Sequence, residues 1–157
     1  MSINLNDNNR GGTFCLGNAG LAIGSTKSQV AIAAPNGAGV DYCIKGLSYH
    51  KADAASVAIT AAAAQPALTT CLYLVCLNAS GTLSTVKGRA VLNAALANGT
   101  DVLEWPTPVA GTCPIGALKV KCANAATFTA NTTLHDATDV TVTYINLTTV
   151  PTEPLTA

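Results

Sequence analysis

Charge is what this sequence has least of. Only 10% of its 157 residues are charged, against roughly 25% in ordinary soluble domains. Eight basic residues balance eight acidic ones, for a formal net charge of zero. Without a basic excess there is no field to gather phosphate backbones, which argues against a nucleic-acid partner. Long apolar runs are also missing. The longest stretch of large apolar residues is Leu72 to Leu77, far short of the ~20 needed to cross a bilayer, so no membrane role is expected. The opening MSINLNDNNRGG has no apolar h-region, so no secretory signal is read and synthesis in a reducing cytosol is expected.

Catalytic and cofactor motifs are equally scarce. There is no G-x-G-x-x-G, P-loop or G-x-S-x-G. The six cysteines, Cys15, Cys43, Cys71, Cys76, Cys113 and Cys122, contain no C-x-x-C pair, and the two histidines, His50 and His135, lie far apart. That spacing is poor for zinc. The cysteines read as buried thiols acting as small hydrophobes. Cys71 and Cys76 are five apart and face opposite sides of a strand. The closest carboxylate pairs, Asp101 with Glu104 and Asp136 with Asp139, fall in predicted loops and form no acid–base arrangement. His135, Asp136 and Asp139 are weighed as a weak cation site, and a turn before a strand explains them better. No catalytic, cofactor or metal residues are assigned, and an enzyme is not expected. N-x-S/T sequons at Asn78, Asn98, Asn131 and Asn146 mean little without secretion.

What is present is a series of short strands. The stretch Gln65 to Gly88 anchors them: Leu72-Tyr73-Leu74-Val75-Cys76-Leu77 is apolar on both faces, followed by the turn cluster Asn78-Ala79-Ser80-Gly81 and a polar run to Lys87. This predicts a β-hairpin with one doubly buried strand. Two registers are open. A two-residue loop pairs Leu77 with Ser84, and a four-residue loop pairs Leu77 with Thr82. The second face of Leu72–Leu77 is covered either within the fold or by another copy.

In chain order, residues 1–12, with four Asn, one Asp and Gly11-Gly12, read as an extended arm with little to bury. Residues 13–157 then form a single domain. Apolar pieces at Phe14–Leu16 and Leu21–Ile23 precede a strand at Gln29–Ala33. Lys45-Gly46 reads as a two-residue loop that pairs Ile44 with Leu47, Tyr42 with Tyr49 and Val40 with Lys51. Asp41 then faces His50. A catalytic reading of that pair lacks a nucleophile. Ser56–Thr60 is predicted as strand, Ala61–Pro66 as connector, and Ala90–Ala97 as a short helix ended by Asn98-Gly99 or a strand and loop. Glu104–Pro108 is extended. Its Trp105 is the single Trp and reads as a core or interface residue rather than a stacking platform. Ile115–Cys122 alternates, with Lys119 and Lys121 suggesting an edge strand. Phe128 points inward from a short strand at Thr127–Thr129. Val140–Leu147 is a strong strand, and Val150–Pro154 an extended tail. The fold class is therefore all-β: an antiparallel, jelly-roll-like β-sandwich of about eight short strands with at most one short helix.

Three runs, Cys113–Val120 (CPIGALKV), Phe128–Leu134 (FTANTTL) and Val140–Tyr144 (VTVTY), together with the Leu72–Gly88 hairpin and its Ser-Gly turn and Lys-Gly ending, resemble small virion proteins of tailed bacteriophages. The resemblance spans about residues 40–151. It implies a capsid decoration (cement) or head-fibre protein: a β-sandwich, commonly a homotrimer, bound to the major capsid protein on the capsid exterior and clamping neighbouring capsomers. No catalytic residues or cofactors carry over. A receptor- or glycan-binding fibre or tail component is the alternative. It requires an exposed aromatic cluster, for which Trp105, Tyr49 and Tyr73 are the candidates. A hydrolase is the third reading and needs His50 or His135 beside a nucleophile.

Overall fold

Lys45 and Gly46 both adopt positive φ, 52° and 82°, the geometry of a two-residue turn whose twist matches the flanking strands. That turn sets the first hairpin of the computed structural model, which describes residues 12–147. Strands β4 (Val40–Ile44) and β5 (Leu47–Lys51) pair Ile44 with Leu47, Tyr42 with Tyr49, Asp41 with His50 and Val40 with Lys51, the register predicted from sequence. β1 (Phe14–Cys15) adds to the other side of β4, with Phe14 opposite Cys43. This third strand explains why Cys43 is buried although it sits on the hairpin's polar face.

A second small sheet has the order β2-β3-β6, built from Leu21–Ile23, Val30–Ile32 and Ala54–Val57. β6 ends earlier than the predicted Ser56–Thr60. Val57 pairs with Val30 and Ala54 with Ile32, while Thr60 leaves the sheet to bond elsewhere.

The main sheet has the order β11-β10-β7-β8, with β7 at Thr69–Asn78, β8 at Leu83–Lys87, β10 at Thr112–Cys122 and β11 at Val140–Asn146. β9 (Val91–Leu92) pairs with the start of β7 and leads into the short helix α1 (Asn93–Ala97). Gly99, at φ 67°, ends the helix, so the Ala90–Ala97 segment is part strand and part helix. The chain is all-β and antiparallel with one short helix among the described residues, as its sequence predicts. Its strands are divided among three sheets in a sandwich-like arrangement around one core. Tyr42, Tyr73, Leu77, Ile32, Ile115, Leu118 and Phe128 are fully buried there. Each such side chain contributes roughly 1.5–3 kcal/mol of apolar transfer.

Three expectations need correction. β10 is not an edge: it lies between β7 and β11, and Lys119 and Lys121 are exposed because they occupy the sheet's outer face while Leu118, Val120 and Cys122 face the core. The β7–β8 hairpin takes neither predicted register. Leu77 pairs with Leu83, and Asn78 N donates to Thr82 O at 3.1 Å, leaving a three-residue loop with Gly81 at φ 73°. A one-residue shift reverses every face of a strand; here it buries Leu83 and Thr85 on the core side instead of exposing Leu83. Thr127–Thr129 is no strand: Phe128 makes a single bridge to Gln65 and, as expected, points inward. The arm assigned to residues 1–12 falls, but for Gly12, outside the described residues, as does the 150–154 tail.

The second face of β7 is covered within the chain. Leu72 and Leu74 are buried on the side away from the core, beneath a strap formed by residues 98–111. Pro106 and Glu104 O lie against Gly88, close to Leu72 O, and Trp105, Pro106 and Pro108 border Leu74. Arg89 pins the strap: Nη1 donates to Asp101 Oδ2 at 2.8 Å, and Nη2 donates to Asp101 Oδ1 at 2.6 Å and to Val102 O at 3.3 Å. The guanidinium holds the Asp101 carboxyl down at about 2, first through these bonds and then through the bond from Val102 N.

Candidate interaction surface

The outer face of the main sheet carries a concave surface. Leu74 of β7, Pro114 of β10 and Ile145 of β11 floor a cleft of about 250 Å³, and Trp105, Pro106 and Pro108 of the strap wall it. Local sequence explains the wall. Pro106 and Pro108 force Trp105 and Thr107 into extended backbone, so the strap crosses the sheet without pairing to it and projects the indole. Trp105 is 49% exposed. Of the two positions expected for it, core or interface, the core is thus excluded. Val102 and Val109, at either side of Trp105 in the strap, are exposed too. Its described lining is mainly apolar, with Asn146 as the polar side chain and no titratable residue. It can exclude water from a partner's apolar or aromatic group, and among the described residues it offers no acid, base or nucleophile.

The aromatic cluster that a glycan-binding reading requires does not form. Tyr73 is fully buried on the core side, edge-on to Phe128 at 5.5 Å between centroids. Tyr49 belongs to the small β1-β4-β5 sheet, stacked on Tyr42 at 5.8 Å. Trp105 stands apart from both.

Asp41 and His50 do meet, with Oδ1 2.8 Å from Nδ1 on the exposed face of the first hairpin. A groove of about 280 Å³ beside Asp41 is lined by Leu16, Gly17, Asn18, Pro35, Asn36 and Gly39, with Asp41 as its single carboxylate. The pair is a cross-strand contact set by register, and among the described residues no hydroxyl or thiol is bonded to the imidazole.

His135, Asp136 and Asp139 diverge. Asp136 pairs with Lys27, and Asp139 Oδ1 accepts from Asn124 Nδ2 at 2.8 Å. His135 is buried, with Nδ1 2.8 Å from the Tyr144 hydroxyl and the ring 5.8 Å from Phe128. Burial pulls its pKa below the usual imidazole value, partly offset by Asp136, and pushes the Tyr144 phenol up to about 12. The weighed cation site is therefore not assembled, and no group of three or more metal-binding side chains converges among the described residues. Asp101 is engaged by Arg89 rather than by Glu104.

All six cysteines are buried, as expected, with Cys71 on the core side and Cys76 on the opposite face of β7. Burial pushes the Cys71 thiol up to about 11 and raises Cys15, Cys76 and Cys122. Such thiols are poor nucleophiles at neutral pH.

Sequence reasoning missed Gln65. Its side chain is fully buried; Nε2 donates to Thr69 O and Val120 O, both at 3.0 Å, and Oε1 accepts from Tyr73 OH at 3.3 Å. A polar residue in an Ala-rich connector gives no periodic signal, so nothing marked it. No protein-family model, curated protein or solved structure matches this chain.

Proposed function

We propose that this chain is a non-enzymatic virion structural protein that binds the outside of a tailed-phage capsid and stabilises it, acting as an oligomer. The observation that carries the reading is the Trp105 strap: a half-exposed indole and two prolines beside an apolar cleft, on a chain only 10% of whose residues are charged. Exposed aromatic anchors next to apolar pockets dominate the energetics of protein interfaces, and depletion of charge is the compositional mark of interface cores. The resemblance in Cys113–Val120, Phe128–Leu134 and Val140–Tyr144 points the same way. Binding only to the assembled shell adds to shell stability by mass action, with the major capsid protein as partner and residues 1–12 as a tether.

The test is co-sedimentation with shells of the parent phage assembled without this protein, followed by a density map of the decorated particle. Density over the capsid exterior and a higher shell melting temperature are expected. Failure to co-sediment at any protein excess sinks the proposal. Deleting residues 1–12 without loss of affinity removes the tether alone.

The alternative, a receptor- or glycan-binding fibre component, keeps only the exposed Trp105 in its support, because the aromatic cluster that it requires does not form. Density at the tail or fibre rather than the shell selects it.

A further inference from the structure

The sequence contains two Asn-Gly steps, Asn36-Gly37 and Asn98-Gly99. Such a step is chemically labile. Glycine has no Cβ to shield its backbone nitrogen, so that nitrogen can attack the amide carbon of the preceding side chain. Both asparagines are exposed. At both glycines a side-chain carbon would meet no atom within 4 Å, so access does not separate the two steps. Hydrogen bonding does.

Asn36 is held on both sides of the reacting bond. Its Oδ1 accepts from Ala38 N at 3.0 Å, and Gly37 N donates to Ala34 O at 2.8 Å. Ala34 is itself buried, and its N donates to Asp53 Oδ1 at 2.9 Å. Freeing Gly37 N therefore means opening a turn anchored where β3 ends and β6 begins. Asn98 is the C-cap of α1. Among the described residues no hydrogen bond holds its carboxamide, and Gly99 N donates to Leu96 O at the longer distance of 3.2 Å. α1 has five residues, none of them buried, and no side chain caps its N-terminus. A helix this short has little stability of its own, so its end opens at low cost.

We propose that Asn98 is a site of spontaneous deamidation in the folded chain, and that Asn36 is protected. Gly99 N gives its proton to solvent base and bonds to Asn98 Cγ. The bond from Cγ to Nδ2 breaks, and the nitrogen leaves as ammonia after taking a proton from water. Water then opens the resulting succinimide. Breaking the bond between Cγ and Gly99 N leaves aspartate on the original main chain. Breaking the bond between the Asn98 carbonyl carbon and Gly99 N leaves isoaspartate, with the main chain routed through Cβ. The sum is amide plus water to acid plus ammonia, with no redox change. Either product sets a carboxylate at the C-terminal end of α1, beside carbonyls that carry partial negative charge. It also lies at the root of the strap that Asp101 ties to Arg89, and gives a chain of zero formal net charge an acidic surplus. The site does not depend on capsid binding.

The test is incubation of the full chain at mildly alkaline pH in heavy-oxygen water, then peptide mapping by mass spectrometry. Synthetic peptides spanning residues 94–102 and 33–41 serve as unfolded references. Labelled aspartate and isoaspartate are expected at position 98, at a rate within about tenfold of the free peptide. Asn36 is expected to lag its own peptide by more than about tenfold. On isoelectric focusing, Asn98→Gln should remove the acidic form that accumulates, and Asn36→Gln should leave it. An Asn98 that keeps its amide while its peptide loses it overturns the proposal. So does conversion of Asn36 at the pace of Asn98, or an acidic form that survives in Asn98→Gln and disappears in Asn36→Gln.

Discussion

The Tyr144 hydroxyl lies 2.8 Å from His135 Nδ1, while the other ring nitrogen, Nε2, is buried with no partner among the described residues. This one contact ties the loop before β11 to β11 itself. The same loop is held at its other side by His135 N donating to Lys27 O at 2.8 Å and by the Lys27–Asp136 ion pair.

Acid should therefore weaken this corner. The folded-state pKa of His135 is lowered, chiefly by burial, so the unfolded chain takes up the proton first. Stability is present above the unfolded value of 6.5 and is lost as pH falls from there through the folded value. Urea midpoints measured from pH 7.5 down to pH 5 should decline, and His135→Phe should flatten that decline. An equal slope in the variant would remove His135 as its source.

Replacing Gln65 should be among the costliest single changes in the chain. Gln65→Leu leaves Thr69 O, Val120 O and Tyr73 OH without their present partner. Buried groups left unsatisfied cost about 1–3 kcal/mol each, with partial relief by rearrangement. A loss of roughly 2–4 kcal/mol in chemical denaturation is expected, far beyond that of Gln29→Leu near the surface. A loss under about 0.5 kcal/mol would show that the network relaxes at no cost.

Asn78 should set the register of the central hairpin. Its Oδ1 accepts from Ser80 N at 3.0 Å, Ser80 Oγ at 2.7 Å and Thr82 N at 2.9 Å. Asn78→Ala is expected to cost about 1–2 kcal/mol, and Asn78→Asp, which keeps the acceptor, much less. Equal effects would mean that the turn is held by Gly81 alone.

The single tryptophan is a ready probe of the strap. Half-exposed Trp105 should emit at long wavelength and be quenched by acrylamide in the free protein. Shell binding should shift the emission to the blue and protect it. Trp105→Ala should leave the unfolding midpoint within about 1 kcal/mol of wild type and weaken shell binding at least tenfold. Arg89→Ala, by releasing Asp101 and Val102 O, should speed proteolysis within residues 98–111 without unfolding the sheet.

Much of the fold was legible because strand physics is local. The Lys45-Gly46 turn determined the pairing from Val40–Lys51 to Ile44–Leu47, since two residues at positive φ admit one register. The alternation of Leu118, Val120 and Cys122 against Lys119 and Lys121 gave both faces of β10. Position within a sheet was not legible: solvent-facing lysines look alike on an edge and on the outer face of a central strand. The interaction surface was visible only as an isolated Trp-Pro-Thr-Pro, because its floor comes from three strands distant in sequence.

The sequence by itself determined an all-β antiparallel chain, a doubly apolar Leu72–Leu77 strand, and a low charge content with no net charge. Only the tertiary structure decided what covers that strand. Its core face meets Leu118, Ile115 and Phe128, while its second face lies under the 98–111 strap of the same chain rather than under a neighbouring copy. Arg89 bonds Asp101 and Val102 O where the strap begins.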